Sequence, residues 1–194
     1  MPSNSVRAFL ILSLLLIGVG SLGLYSTNQS NDGLKTVYED RTVPAVDLAI
    51  LGDNWQGIRQ NAVVAANFND VAVSKARWAD TVRRDGEIKK IWDAFMLTTL
   101  TTEEAAFAEE YIQNEKAFKE SRAVTMRAAV NGNFEVAREN AANDASKKFD
   151  ALHKSIFDLI NLQARVASEE YAVAQSDCNT LSTVTISIIV LGVM

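Results

Sequence analysis

The chain of 194 residues holds one cysteine, one histidine and two prolines, and aromatic residues make up only 8% of it. Each shortage closes off a class of protein. A lone Cys178 cannot form an intrachain bridge, which is compatible with an oxidising compartment, and nothing around it signals a perturbed thiol. With His153 as the single histidine, neither a Cys/His zinc set nor an H-E-x-x-H helix can be assembled. Few aromatics beside abundant alanine disfavour a sheet, because alanine has the best helix propensity and strands favour aromatic and β-branched side chains. Basic clusters are missing too. The 19 Lys and Arg are interleaved with 24 Asp and Glu, for a net charge of −5, so no nucleic-acid surface is expected. Adjacent acids such as Glu103/Glu104, Glu109/Glu110 and Glu169/Glu170 point apart on a helix and read as solvated faces, not as acid/base dyads. No catalytic residue, metal or cofactor is expected, and the chain does not read as an enzyme.

What the chain has instead is two apolar runs. The first, Ala8 to Leu24, carries no charge and follows Arg7; its length is at the low end of a membrane-spanning helix. A cleaved signal peptide competes with that reading, but the run exceeds the usual apolar core of a signal and no A-x-A-type site follows it. The second, Leu181 to Met194, is uncharged and too short to span, as if a second spanning helix were truncated. The expected organisation is therefore a cytoplasmic tail at 1–7, a transmembrane helix at 8–25, a soluble domain at 26–180 and the start of a second transmembrane helix at 181–194. Arg7 favours a cytoplasmic N-terminus. Gly18, Gly20 and Gly23 fall in the first run, where small residues ease helix packing.

Three breaks divide the soluble part. They are "ANFND" (Ala66 to Asp70), "TTLTTEE" (Thr98 to Glu104) and "VNGN" (Val130 to Asn133). Thr101 and Glu104 form a T-x-x-E capping box; Gly132 is a left-handed stop and Asn133 the next N-cap. Four helices result, each about 30 to 45 residues and roughly 45 to 65 Å long. A stripe in alternating steps of three and four runs along the first (Leu34, Val37, Arg41, Pro44, Leu48, Leu51, Trp55, Ile58, Ala62, Ala65). Another marks the fourth (Ala141, Ala145, Phe149, Leu152, Ile156, Leu159, Val166, Val173). Trp78, Val82, Trp92 and Phe95 anchor the second helix; Phe107, Tyr111 and Phe118 anchor the third. Such spacing with short connections predicts an all-α, up-down-up-down four-helix bundle between two transmembrane helices. His153 sits one position off its stripe and reads as a flanking surface residue. The three tryptophans read as core. Pro44, inside the first helix, clashes with the carbonyl of Asp40 and removes one backbone bond, so a kink is expected there. Asp40 and Arg41 are placed to satisfy the freed groups or to pair with the fourth helix.

The segment "LKTVYEDRTVPAVDLAIL", and "DRTVP" above all, resembles the first periplasmic helix of bacterial methyl-accepting chemotaxis receptors with a four-helix-bundle sensor. "LTTEEAAFAEEY", "AAVNGNFEVARE" and "FDALHKSIFDLINLQARVASEEY" resemble the later helices in order. The resemblance implies a homodimer paired through helix one, anchored in the bacterial inner membrane with the bundle in the periplasm. It implies a small-molecule ligand or a periplasmic binding protein as input, and a cytoplasmic kinase and adaptor reached only through a C-terminal part beyond this sequence. In amino-acid sensors of the family, arginines on helix one clamp the ligand between helices one and four at the membrane-distal end. Here Arg59 is the only arginine in that part of helix one and the multi-arginine clamp is absent. Asn67 lies near it, and Arg138 and Asn140 open helix four, which makes these four the candidate ligand contacts. A sensor of a histidine kinase or of a cyclic-dinucleotide enzyme, and an anchored structural bundle, are the alternative readings.

Overall fold

A computed structural model describes residues 4–193. Six α-helices follow one another: α1 (Asn4–Thr36), α2 (Val43–Asn67), α3 (Val71–Met96), α4 (Thr102–Val130), α5 (Phe134–Ala142) and α6 (Asp144–Val193), with a π-helical turn (Val37–Thr42) between α1 and α2. The chain divides into two compact units. One comprises the described residues up to Arg41 together with those from Arg165 on; the other is Thr42–Ala164. This division falls inside the expected 26–180 domain. Among the described residues no helix is long and apolar enough to cross a membrane. The expected span at 8–25 and the expected start of a second at 181–194 lie partly outside the described residues: the side chains of Arg7, Ala8, Ile11, Leu12, Leu15 and residues 191–194 are not among them, nor are residues 1–3.

Within Thr42–Ala164, α2, α3, α4 and the α5–α6 stretch form the expected bundle. The breaks are built as their residues dictate. Asp70 caps α3 by accepting from the backbone N–H of Ala72 and Val73. Thr101 and Glu104 complete a reciprocal capping box on α4. Gly132 takes φ +81°, a conformation that costs glycine nothing sterically. Asn133 precedes α5 without a side-chain cap. The fourth helix is not continuous, however. Asn143 (φ −109°, ψ −80°) separates α5 from α6, and its side chain donates to the Glu139 carbonyl. Asparagine competes with the helix for backbone groups in this way.

Leu48, Leu51, Trp55 and Ile58 of α2 are fully buried, as the stripe requires, and meet Phe95, Tyr111, Phe118, Phe149, Leu152 and Leu159. Trp55 Nε1 donates to the Tyr111 hydroxyl at 3.0 Å, and its ring meets the edge of Phe118. Trp92 packs on Tyr111 with ring centroids 4.0 Å apart. Burial pushes the Tyr111 phenol far above its ordinary range, with Glu115 adding to the shift, so the hydroxyl stays neutral in the core. His153 is exposed, stacked beside Phe149. Towards the α2–α3 turn the core narrows to Ala62, Ala65, Ala66, Ala129 and Ala137 with Met126, and Trp78 packs against it half-buried.

The α3 stripe differs from expectation. Val82 is 57% exposed, and the buried residues are Ser74, Thr81, Ile88 and Phe95, seven apart as in a coiled-coil seam. Two of these are hydroxyls that satisfy themselves inside. Ser74 Oγ reaches the carbonyls of Ala65 and Asp70, and Thr81 Oγ1 donates to the Arg77 carbonyl. A stripe sought in apolar residues alone passes over them and picks Val82.

At Pro44 the π-helical turn ends and α2 begins, with the proline in its first turn. There its missing N–H belongs to the group of donors that a helix start leaves unpaired. The helix thus accommodates the proline by changing its hydrogen-bond pattern over the six residues Val37–Thr42. In the unit that contains Arg41, its guanidinium binds Glu170 of α6 through Nε at 3.1 Å and Nη2 at 2.9 Å; the arginine side chain is only 9% exposed. In the same unit a Cβ placed on Gly33 would lie 3.1 Å from that of Ala174. The glycine lets α1 and α6 approach closely.

Candidate functional site

Polar chemistry in the bundle gathers on α2 and α3. Asn54 and Asn61, buried on α2, face Asp80 and Arg84 of α3. Arg84 donates to Asn54 Oδ1 at 3.1 Å and to Asp80 Oδ2 at 3.0 Å. Asn61 Nδ2 donates to Asp80 Oδ2 at 2.8 Å, and Arg83 grips Asp80 Oδ1. Hydrogen bonds from Asn61, Arg83 and Arg84 hold the Asp80 carboxyl well below the usual carboxylate range. The unfolded chain therefore binds the Asp80 proton more readily than the folded one, and stability rises with pH between the two pKa values. This contribution is complete above about pH 4 and falls away as acid protonates the folded form. Asp80→Asn is expected to flatten the loss of stability between about pH 4 and pH 2, measured by urea unfolding across that range.

Gly57 is what lets this network close. A Cβ there would sit 2.5 Å from the Arg84 Cζ, so the guanidinium lies directly over the α2 backbone. Gly57→Ala alone is expected to change stability little: alanine gains about 1 kcal/mol of helix propensity but displaces Arg84 from Asn54. In an Arg84→Ala background the same change should stabilise by about 1 kcal/mol. A double-mutant cycle by chemical denaturation reads the difference.

The candidate ligand contacts are placed as follows. Arg59, half-buried on α2, lines an open groove of about 500 Å³ with Asp53, Gln56, Gly57, Gln60, Val63 and Arg84. Its guanidinium lies 4.7 Å from the centroid of the Phe149 ring, and Nη2 approaches Ser146 Oγ at 3.4 Å. Asn67 folds back on the Val63 carbonyl at 2.8 Å. Arg138 reaches from α5 to the end of α2, donating to Asn69 Oδ1 at 2.7 Å and more weakly to the Ala66 carbonyl. Asn140 turns towards α4, where its amide nitrogen contacts Ser121 O, Ser121 Oγ and Thr125 Oγ1 at 2.9, 3.3 and 2.8 Å; two hydrogens leave nothing there to offer a ligand. Of the four, Arg59 lines the groove.

Asn54, Asn61, Asp80 and Arg84 escaped the sequence reading. Two signals were present: asparagines at stripe-flanking positions of α2, and a glycine in a helix interior, where it normally destabilises.

No curated protein and no solved structure matches the chain. A family model described as a four helix bundle sensory module for signal transduction matches residues 6–177, and the chain belongs to that family.

Proposed function

We propose that the chain is the ligand-sensing region of a bacterial transmembrane chemoreceptor. In this reading the bundle stands in the periplasm, anchored in the inner membrane through the apolar runs at 8–25 and from 181 on. One observation carries the proposal: α6 runs 50 residues without interruption, from Asp144 to Val193. At the usual rise per residue the whole helix is about 75 Å long, and it includes the C-terminal apolar stretch from 181 on. Two chains pair along helix one. Val43, Val46 and Ile50 of α2 support this, being 39%, 55% and 49% exposed in the single chain. A small molecule or a binding protein biases the distal part of the bundle, with Arg59 as its candidate contact. The fourth bundle helix then moves by ~1–2 Å, as interface helices do in switching proteins. The coupling this needs is about 1–3 kcal/mol, and a cytoplasmic partner domain reads it.

Phosphatase fusions test the placement. A fusion after Asn131 should be active only if the bundle is exported, and the chain should remain with membranes through carbonate extraction. An inactive fusion, or release into the soluble fraction, overturns the transmembrane reading.

A further inference from the structure

The geometry points to a second binding groove, on the α3–α4 seam, built for a small aromatic carboxylate. Lys75, Trp78 and Ala79 of α3 and Arg127, Val130 and Asn131 around the end of α4 enclose about 350 Å³, the size of a small-ligand pocket. Its lining is mostly apolar. Trp78 is half-buried against the alanine core and presents the rest of its ring to the groove. Lys75 and Arg127 are both exposed.

What the groove combines is two cations and a tryptophan in one lining. Several cations on the bundle are matched by carboxylates one turn away or across the seam: Lys89 by Asp93, Lys119 by Glu115, Lys148 by Asp144, Lys154 by Asp158, Arg122 by Asp85. Around Lys75 the positions one turn away are Val71, Ala72, Trp78 and Ala79. Around Arg127 they are Ala123, Val124, Val130 and Asn131. None can neutralise a cation, and neither Lys75 nor Arg127 is in an ion pair among the described residues. Two positive charges without an ion-pair partner among the described residues therefore line one groove with a tryptophan. A carboxylate satisfies the charges, bidentate on the arginine fork with the lysine as a point charge. A flat ring attached to it stacks on Trp78. Neutral sugars lack the charge, and cations are repelled. The groove is separate from the one on α2 that holds Arg59, so it stands whatever that one binds.

Benzoate is the probe. Titrated into the purified full chain in detergent, it should quench tryptophan fluorescence saturably, and more weakly as salt is added. Arg127→Ala and Lys75→Ala should each weaken binding about tenfold or more; acetate and benzamide, which lack the ring or the charge, should bind at least about tenfold more weakly than benzoate. Arg59→Ala and Arg77→Ala should bind benzoate as the unaltered chain does. Absence of saturable binding up to about 10 mM, equal binding of acetate, or undiminished binding in both groove variants would each overturn the assignment. An effect of Arg59→Ala in place of the groove variants would move the site to α2.

Discussion

Trp55→Ala is expected to remove about 3–5 kcal/mol of stability, the range for deleting a large buried aromatic, and to lower the thermal midpoint by roughly 10 °C. Trp55 is wholly inaccessible and links α2 to α4 through its bond to the Tyr111 hydroxyl and its edge contact with Phe118. Phe118 in turn meets Phe149 of α6 with centroids 5.3 Å apart. Truncation opens a cavity where the rings meet and leaves Tyr111 without its donor. Trp55→Phe separates these effects. It restores most of the volume but still orphans the phenol, for about 1–3 kcal/mol, and adding Tyr111→Phe should recover part of that. Thermal and urea unfolding of the three variants check the series. A loss under about 1 kcal/mol for Trp55→Ala would mean that the core is held elsewhere.

Glu104→Ala should be nearly as damaging. Glu104 is 0% exposed. Its Oε2 accepts from the Thr101 backbone at 2.5 Å and its Oε1 from Gln163 Nε2 at 2.6 Å. The side chain therefore both starts α4 and ties it to α6. Alanine strips the cap, worth about 1 kcal/mol, and leaves the buried Gln163 amide without its acceptor, at a cost of about 1–3 kcal/mol. We expect a total near 3 kcal/mol. Glu104→Gln should cost less than half as much. Gln163 Oε1 is buried with no partner, so its amide can turn over and accept from the new glutamine, which itself still accepts from Thr101. Equal losses for the two variants would show that Glu104 acts through its charge instead.

These residues also show what the sequence makes legible. The α2 stripe and the capping box were readable because their signals are local: apolar spacing along one helix, and a pair three residues apart. Glu104 was read correctly as a cap, but its bond to Gln163 joins residues 59 apart, which no local pattern carries. The heptad of α3 was missed because Ser74 and Thr81 are polar by type yet satisfied by backbone carbonyls. The break at Asn143 was missed because asparagine is tolerated in helices and interrupts them only when its side chain competes for the backbone. Arg59 was identified by its place on helix one, and it does line a groove. Asn140 was assigned to the ligand because the start of helix four was expected to face helix one; packing against Ser121 and Thr125 instead occupies its donors. The Lys75–Arg127 groove was illegible for a different reason: it needs both helices side by side before the missing acids become noticeable.

The central claim is that movement of α6 against α1 carries the signal, and a reversible crosslink tests it most directly. Cysteines at Gly33 and Ala174 would place their Cβ atoms about 3.1 Å apart, a few tenths below the usual disulfide spacing of about 3.5–4.5 Å, with Cys178 replaced by serine to prevent misplaced bonds. The chain would be joined to a cytoplasmic signalling region of known output, and its response to an active compound from a library screen recorded oxidised and reduced. The account predicts that oxidation abolishes the response and that reduction restores it. An undiminished response with the crosslink fully formed would contradict it.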